Sequence, residues 1–225
     1  MAFYFPSDWI SSAAWWIYFI VMIITFVFLI IGGLDLKKED REFESANFLV
    51  VMGFILLIGR VVYWFLPRVI RATTFPEFFD TLIYRLVYLG IFDTLNLMLG
   101  FAFLKFGGAN KDSDGTFIRW AGVLNILAWS IILTMDIVLN LDYWFGFPYF
   151  VVNIQLYWMG RYLVAIFLIV SAILILVWTI KIKRIFIIIF AAFNLALFTL
   201  NLLLVIDRHA GLGMFTYFLI PRLMY

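Results

Sequence analysis

The chain has no cysteine, and it has a single histidine, His209, among 225 residues. Without thiols there is no disulfide framework, no thiol nucleophile and no Fe–S cluster. Without histidine or cysteine in any apolar run, haem, zinc and copper sites are not expected, and neither is any other metal or cofactor. Charge is scarce too. Only 13% of the residues are charged and 66% are hydrophobic, whereas a soluble domain carries about 25% charged residues. The net charge of +2 is too small and too scattered for a nucleic-acid partner. The opening segment MAFYFPSDWISS holds no Lys or Arg. A signal peptide begins with a basic segment, so the first apolar run is expected to be retained. The longest polar stretch, Asp35 to Asn47, is too short to build a core of its own.

What the chain does have is long apolar runs with most charges between them. A helix needs about 20 apolar residues to cross a hydrocarbon core of roughly 30 Å. Ser12 to Gly33, SAAWWIYFIVMIITFVFLIIGG, contains no charge at all. The expected fold class is therefore all-α: a polytopic transmembrane helical bundle forming one integral membrane domain over residues 1–225. Six spans are expected near residues 12–33, 47–66, 81–106, 117–140, 155–180 and 184–206. The bilayer is the first expected partner.

The connections Leu34–Ala46 and Gly107–Thr116 share a form, IIGGLDLKKED and LKFGGANKDSDG. Each reads as a Gly pair that stops a helix before a charged turn, a hint of repeated helical hairpins. Pro67–Asp80 and Leu141–Asn153 are apolar and broken by proline, and are expected to lie in the interface. The tail GLGMFTYFLIPRLMY is too short to span and should lie along the outer surface, with a seventh partial helix as the alternative.

Orientation follows the Lys and Arg of short loops. The first, third and fifth connections with their helix ends carry Lys37, Lys38, Arg41, Lys105, Lys111, Arg119, Lys181, Lys183 and Arg184. The other side carries Arg68, Arg71, Arg208 and Arg222. The expectation is a multi-pass protein of the cell membrane, with those three connections cytoplasmic and both termini outside. Trp9, Trp15, Trp16, Tyr63, Trp64, Tyr143, Trp144, Tyr157 and Trp158 then mark the outer headgroup level.

A charged residue at a helix centre costs about 2.5–3.5 kcal/mol on insertion scales, so each needs a partner, an aqueous cavity or a role. Arg60, Arg85, Asp93, Asp136 and Arg161 lie inside the expected spans, with Asp207 at an edge. At 100° per residue, Asn125, Trp129, Asp136 and Asn140 share one face, as do Asp93, Asn96 and Gly100, while Asn194 and Asn201 nearly eclipse. The economical arrangement points these stripes at one another, with the arginines neutralising the aspartates.

Several chemistries fail for want of residues. Every lysine lies in or beside an expected cytoplasmic connection and the sixth span has none for a Schiff base, no histidine stands near Ser130 or Ser171 to activate a serine, and no phosphate loop is present. An Asp93/Asp136 pair beside arginines would stay ionised and could not share a proton. No catalytic residue is assigned and an enzyme is not expected.

Two readings remain. In the first, Arg60, Arg85, Asp93, Asn96, Asn125, Trp129, Asp136, Arg161, Asn194 and Asn201 form a site that binds or conducts a small or anionic solute or an ion, as in a transporter, channel or ligand sensor. In the second, the same polar cluster is interhelical glue in a non-catalytic structural or sensory subunit, whose apolar flanks meet membrane-protein partners or further copies of the chain. A wet cavity favours the first reading and a dry, fully paired interior the second.

Overall fold

A computed structural model describes residues 9–39, 46–73, 82–109, 115–145 and 154–211, with side chains at 19–37, 46–59, 61–62, 93–107, 115–135, 137–138, 155–203, 205–207 and 209–211. Six helices run through these segments: α1 (Trp9–Glu39), α2 (Ala46–Thr73), α3 (Leu82–Ala109), α4 (Gly115–Phe145), α5 (Ile154–Ile182) and α6 (Ile185–Ala210). No strand occurs among the described residues. Phe19–Lys37, Gly115–Met135, Gln155–Ile182 and Ile185–Asp207 are long and apolar enough to cross a membrane, and Ala46–Gly59 is a shorter apolar segment.

The helices form a closed ring in chain order. Each packs on its neighbours, and α6 returns to α1. The outside of the ring is apolar: Ile58, Trp120, Ile185, Ile180 and Met159 are all more than half exposed. Asp93, Asn96, Asn125 and Asp207, by contrast, are buried. Apolar outside with polar inside is the distribution that lipid, not water, selects.

One end of the ring is filled by an aromatic plug. Leu29, Leu49, Phe103, Phe106, Ile118, Trp178 and Phe190 belong to a single buried cluster drawn from all six helices, which continues along α1 and α2 to Phe19, Met22 and Leu56. Phe106 meets Trp178 edge-on at 5.4 Å, and Phe103 lies 6.2 Å from Phe190 across the ring. Basic groups rim this same end. Lys105 Nζ sits 3.9 Å over the Phe48 ring and Lys181 Nζ 4.7 Å over the Phe117 ring, while Arg184 reaches Asp35 at 3.8 Å. The α5–α6 turn there is tight. Lys183 takes a left-handed φ of 56°, and its N–H and that of Arg184 bond back to Ile180 and Thr179, closing the end of α5 without a glycine.

Three expected boundaries move. The Gly pair at Gly32–Gly33 does not stop α1, which continues to Glu39, and α3 runs through Gly107 to Ala109. α2 likewise passes through Pro67 to Thr73. Proline is tolerated in helices whose freed backbone groups find other partners. The glycines are contact points instead. A Cβ on Gly33 would meet Val50 and the Ala46 carbonyl, and one on Gly53 would meet Ile30. A Cβ on Gly107 would meet Arg119 and the Gly115 carbonyl, and one on Gly122 would meet Leu104.

These two sets superpose under a constant shift within each helix. Ile30 and Gly33 map on Leu104 and Gly107; Ala46, Val50 and Gly53 map on Gly115, Arg119 and Gly122. The hairpin α1–α2 and the hairpin α3–α4 are therefore packed in one register. The sequence hint is one residue off: the matching strings align Gly32 with Gly107, whereas the contacts align Gly33 with it. Burial carries the series into the third hairpin, with Leu49, Ile118 and Ile187 at equal intervals, then Met52, Ala121 and Phe190, then Gly53, Gly122 and Ala191, all buried.

Candidate functional site

Three polar side chains sit inside the ring on the α3–α4 hairpin. Asp93 is 1% exposed, Asn96 4% and Asn125 3%. α3 places Asp93 and Asn96 one turn apart on the face that also carries Gly100, and Gly100 is buried against Gly122 and Ile126 of α4. That glycine contact brings the two backbones together and sets the antiparallel register. Asn125, next to Ile126, then stands one turn closer to the basic end than Asn96. At 1.5 Å per residue, Asp93 lies about 20 Å along α3 from the Gly107 contact. The group thus forms a layer further from the basic end than Phe103 and Phe106 of the plug.

The shared register gives each of these positions a counterpart. Where α3 has Asp93 and Asn96, α1 has Phe19 and Met22; where α4 has Asn125, α2 has Leu56. Phe19, Met22 and Leu56 are all buried. The architecture is satisfied by apolar side chains at these points in the first hairpin. It does not itself require polar ones in the second.

Hydrogen bonding separates the polar residues further. Asn194 occupies the equivalent place on α6, but its amide nitrogen donates to the Phe190 carbonyl at 3.0 Å. Thr25 and Thr179 likewise donate to their own helices, to Val21 and Leu176. Such local bonds are a common way for a span to absorb a polar side chain. Ser171 donates across the α5–α4 contact to the Ala121 carbonyl at 2.9 Å. Asn125 differs, because its Oδ1 is fully buried and accepts no hydrogen bond among the described residues. A buried amide oxygen left without a donor costs about 1–3 kcal/mol.

No family model matches the chain, and no curated protein or solved structure matches it. The geometry is therefore the whole basis for a functional reading.

The other expected site residues distribute as follows. Trp129 is half-buried and packs with Ala128, Val164, Leu168 and Phe198 in a second apolar cluster between α4, α5 and α6. Arg161 is half-buried, with its Nε donating to the Tyr157 hydroxyl at 3.1 Å and its guanidinium 5.3 Å from that ring's centre. Asn201 is half-buried on α6. The side chains of Arg60, Arg85, Asp136 and Asn140 lie outside the described residues. The backbone of Arg60 follows Gly59, whose Cβ would meet Leu95, so Arg60 enters at the level of Asp93 and Asn96.

The sequence reading also passed over some contacts. His209 is exposed, but its ring stacks on Trp158 at 4.9 Å and its Nδ1 lies 2.8 Å from the Tyr162 hydroxyl. Nothing in residues 47 positions apart signals that pairing. The Arg161–Tyr157 contact has the four-residue spacing of a helical neighbour pair and could have been found from it. Among the described residues no group of three His, Cys, Asp or Glu side chains is placed to hold a metal ion.

Proposed function

We propose that all six helices cross the membrane and that the layer formed by Asp93, Asn96 and Asn125 binds a small solute or ion, in a protein that transports, conducts or senses it. The observation that carries this reading is the buried Asn125 Oδ1, which has no donor among the described residues, at a position that Leu56 fills in the first hairpin. A carboxylate and two amide groups within one layer offer oxygen acceptors, and acceptors recognise a cation or a hydrogen-bond donor such as a protonated amine. Of the arginines that point instead to an anionic solute, Arg161 donates its Nε–H to the Tyr157 hydroxyl. The aromatic plug lies on the basic side of the layer. It supports a pocket approached from the opposite face, with the plug as the barrier to passage.

The basic rim supports the cytoplasmic placement of the plugged end, with the termini extracytoplasmic and the protein in the cell membrane. No catalytic constellation is proposed.

A second reading, the structural or sensory subunit, draws on the self-satisfied Thr25, Thr179 and Asn194 and on the Ser171 bridge. Flux decides between them. Proteoliposomes containing the wild-type chain should pass a monovalent metal cation or a small ammonium ion faster than protein-free vesicles, and Asp93→Asn should abolish the difference. Equal flux with and without protein across such a panel, with no solute altering thermal stability, would leave the subunit reading.

A further inference from the structure

A second site lies on the outside of the ring, between α4 and α5 at the basic end. Thr116, Phe117, Trp120 and Leu124 of α4 and Leu174 of α5 line a groove of about 410 Å³. The groove changes character along its length. At one end Lys181 holds its Nζ 4.7 Å over the Phe117 ring, and Thr116, in the first turn of α4, lines the groove. From there to Leu124, about 12 Å further along α4, every lining side chain is apolar. Trp120, 59% exposed, forms one wall with its face open to the surroundings. Lys105, Lys181 and Lys183 are exposed at this end of the ring.

We propose that this groove is a binding site for an anionic glycerophospholipid of the leaflet at the plugged end. The phosphate sits against Lys181 and Thr116, and an acyl chain runs along Phe117, Trp120, Leu124 and Leu174. An ammonium above an apolar channel complements a headgroup above a hydrocarbon chain, and basic residues near a membrane surface attract anionic lipid at about fivefold per residue. The proposal rests on the membrane placement and not on the α3–α4 site.

Brominated lipids give the test, because bromine in an acyl chain quenches a tryptophan it touches. The full chain is reconstituted in vesicles, incorporation is checked by flotation, and the Trp120 contribution is isolated by difference from Trp120→Phe. Brominated phosphatidylglycerol should quench Trp120 at about one fifth of the mole fraction needed by brominated phosphatidylcholine. Lys181→Gln should erase that preference, and Lys181→Arg should keep it. Equal quenching by the two lipids, or a preference that survives Lys181→Gln, would overturn the proposal. Protection of Trp120 from both lipids would overturn it as well and would place a protein surface, such as a second copy of this chain, in the groove. Failure of the protein to float with vesicles would instead sink the membrane placement on which it depends.

Discussion

The hairpins α1–α2 and α3–α4 share a contact pattern and differ in what they bury. Gly33, Gly53, Gly107 and Gly122 hold the two pairs of helices in the same register. At matched depth the first hairpin buries Phe19, Met22 and Leu56, and the second buries Asp93, Asn96 and Asn125. Lipid penalises the second choice, and the packing does not demand it. Polarity confined to one of two equivalent frames is the expected mark of a site added to an architecture that stands without it.

The frame itself is the place to break the comparison hardest. In Gly122→Ala the new Cβ would lie 2.6 Å from the Leu104 nitrogen and 2.7 Å from the Gly100 carbonyl, both backbone atoms. At the matched Gly53 the nearest atom, at 2.6 Å, is the Ile30 side-chain Cγ1, which can rotate away. Gly122→Ala should therefore cost about 3 kcal/mol, and Gly53→Ala about 1 kcal/mol, in detergent unfolding. Equal losses would show that the backbone contact at Gly122 is no tighter than the side-chain contact at Gly53.

Exchanging the contents comes next. Leu56→Asn places an amide in a fully apolar slot and should destabilise by about 2 kcal/mol in the same unfolding measurement. If it costs nothing, the slot is wetter than its burial implies. The reverse change, Asn125→Leu, removes a buried oxygen with no donor and should raise the stability by about 1 kcal/mol. The smallest effect belongs to Ser171→Ala, which deletes one interhelical hydrogen bond and should lower stability by about 0.6 kcal/mol while leaving ligand dependence intact. A larger loss would mark the α4–α5 contact as the element that depends on polar glue.

Much of this frame was legible before any coordinates. Long apolar runs declare helices, because in lipid every backbone group must be satisfied within the segment, and charge inside a run flags Asp93 directly. Helix ends were not legible. Gly32–Gly33 and Pro67 look like breakers in isolation, yet both lie inside helices, where a neighbouring helix decides what a small residue or a proline does. The repeat was visible as two Gly pairs but one residue out of register, since contact geometry and string similarity obey different constraints. Asn125 and Asn194 look alike in sequence. They separate only in three dimensions, where one amide reaches back to its own helix and the other oxygen meets no donor among the described residues. Arg161 donates to Tyr157, one turn earlier on the same helix, a contact that its four-residue spacing makes legible.

The most direct test is the thermal stability of wild type and Asn125→Leu across a panel of sodium, potassium, ammonium and choline salts at constant ionic strength. A ligand layer on the second hairpin predicts that at least one cation raises the wild-type melting temperature, and that Asn125→Leu melts no lower than wild type in choline but no longer responds to that cation. A wild type indifferent to every ion, together with an Asn125→Leu variant that melts lower throughout, would show the amide to be glue and contradict the site.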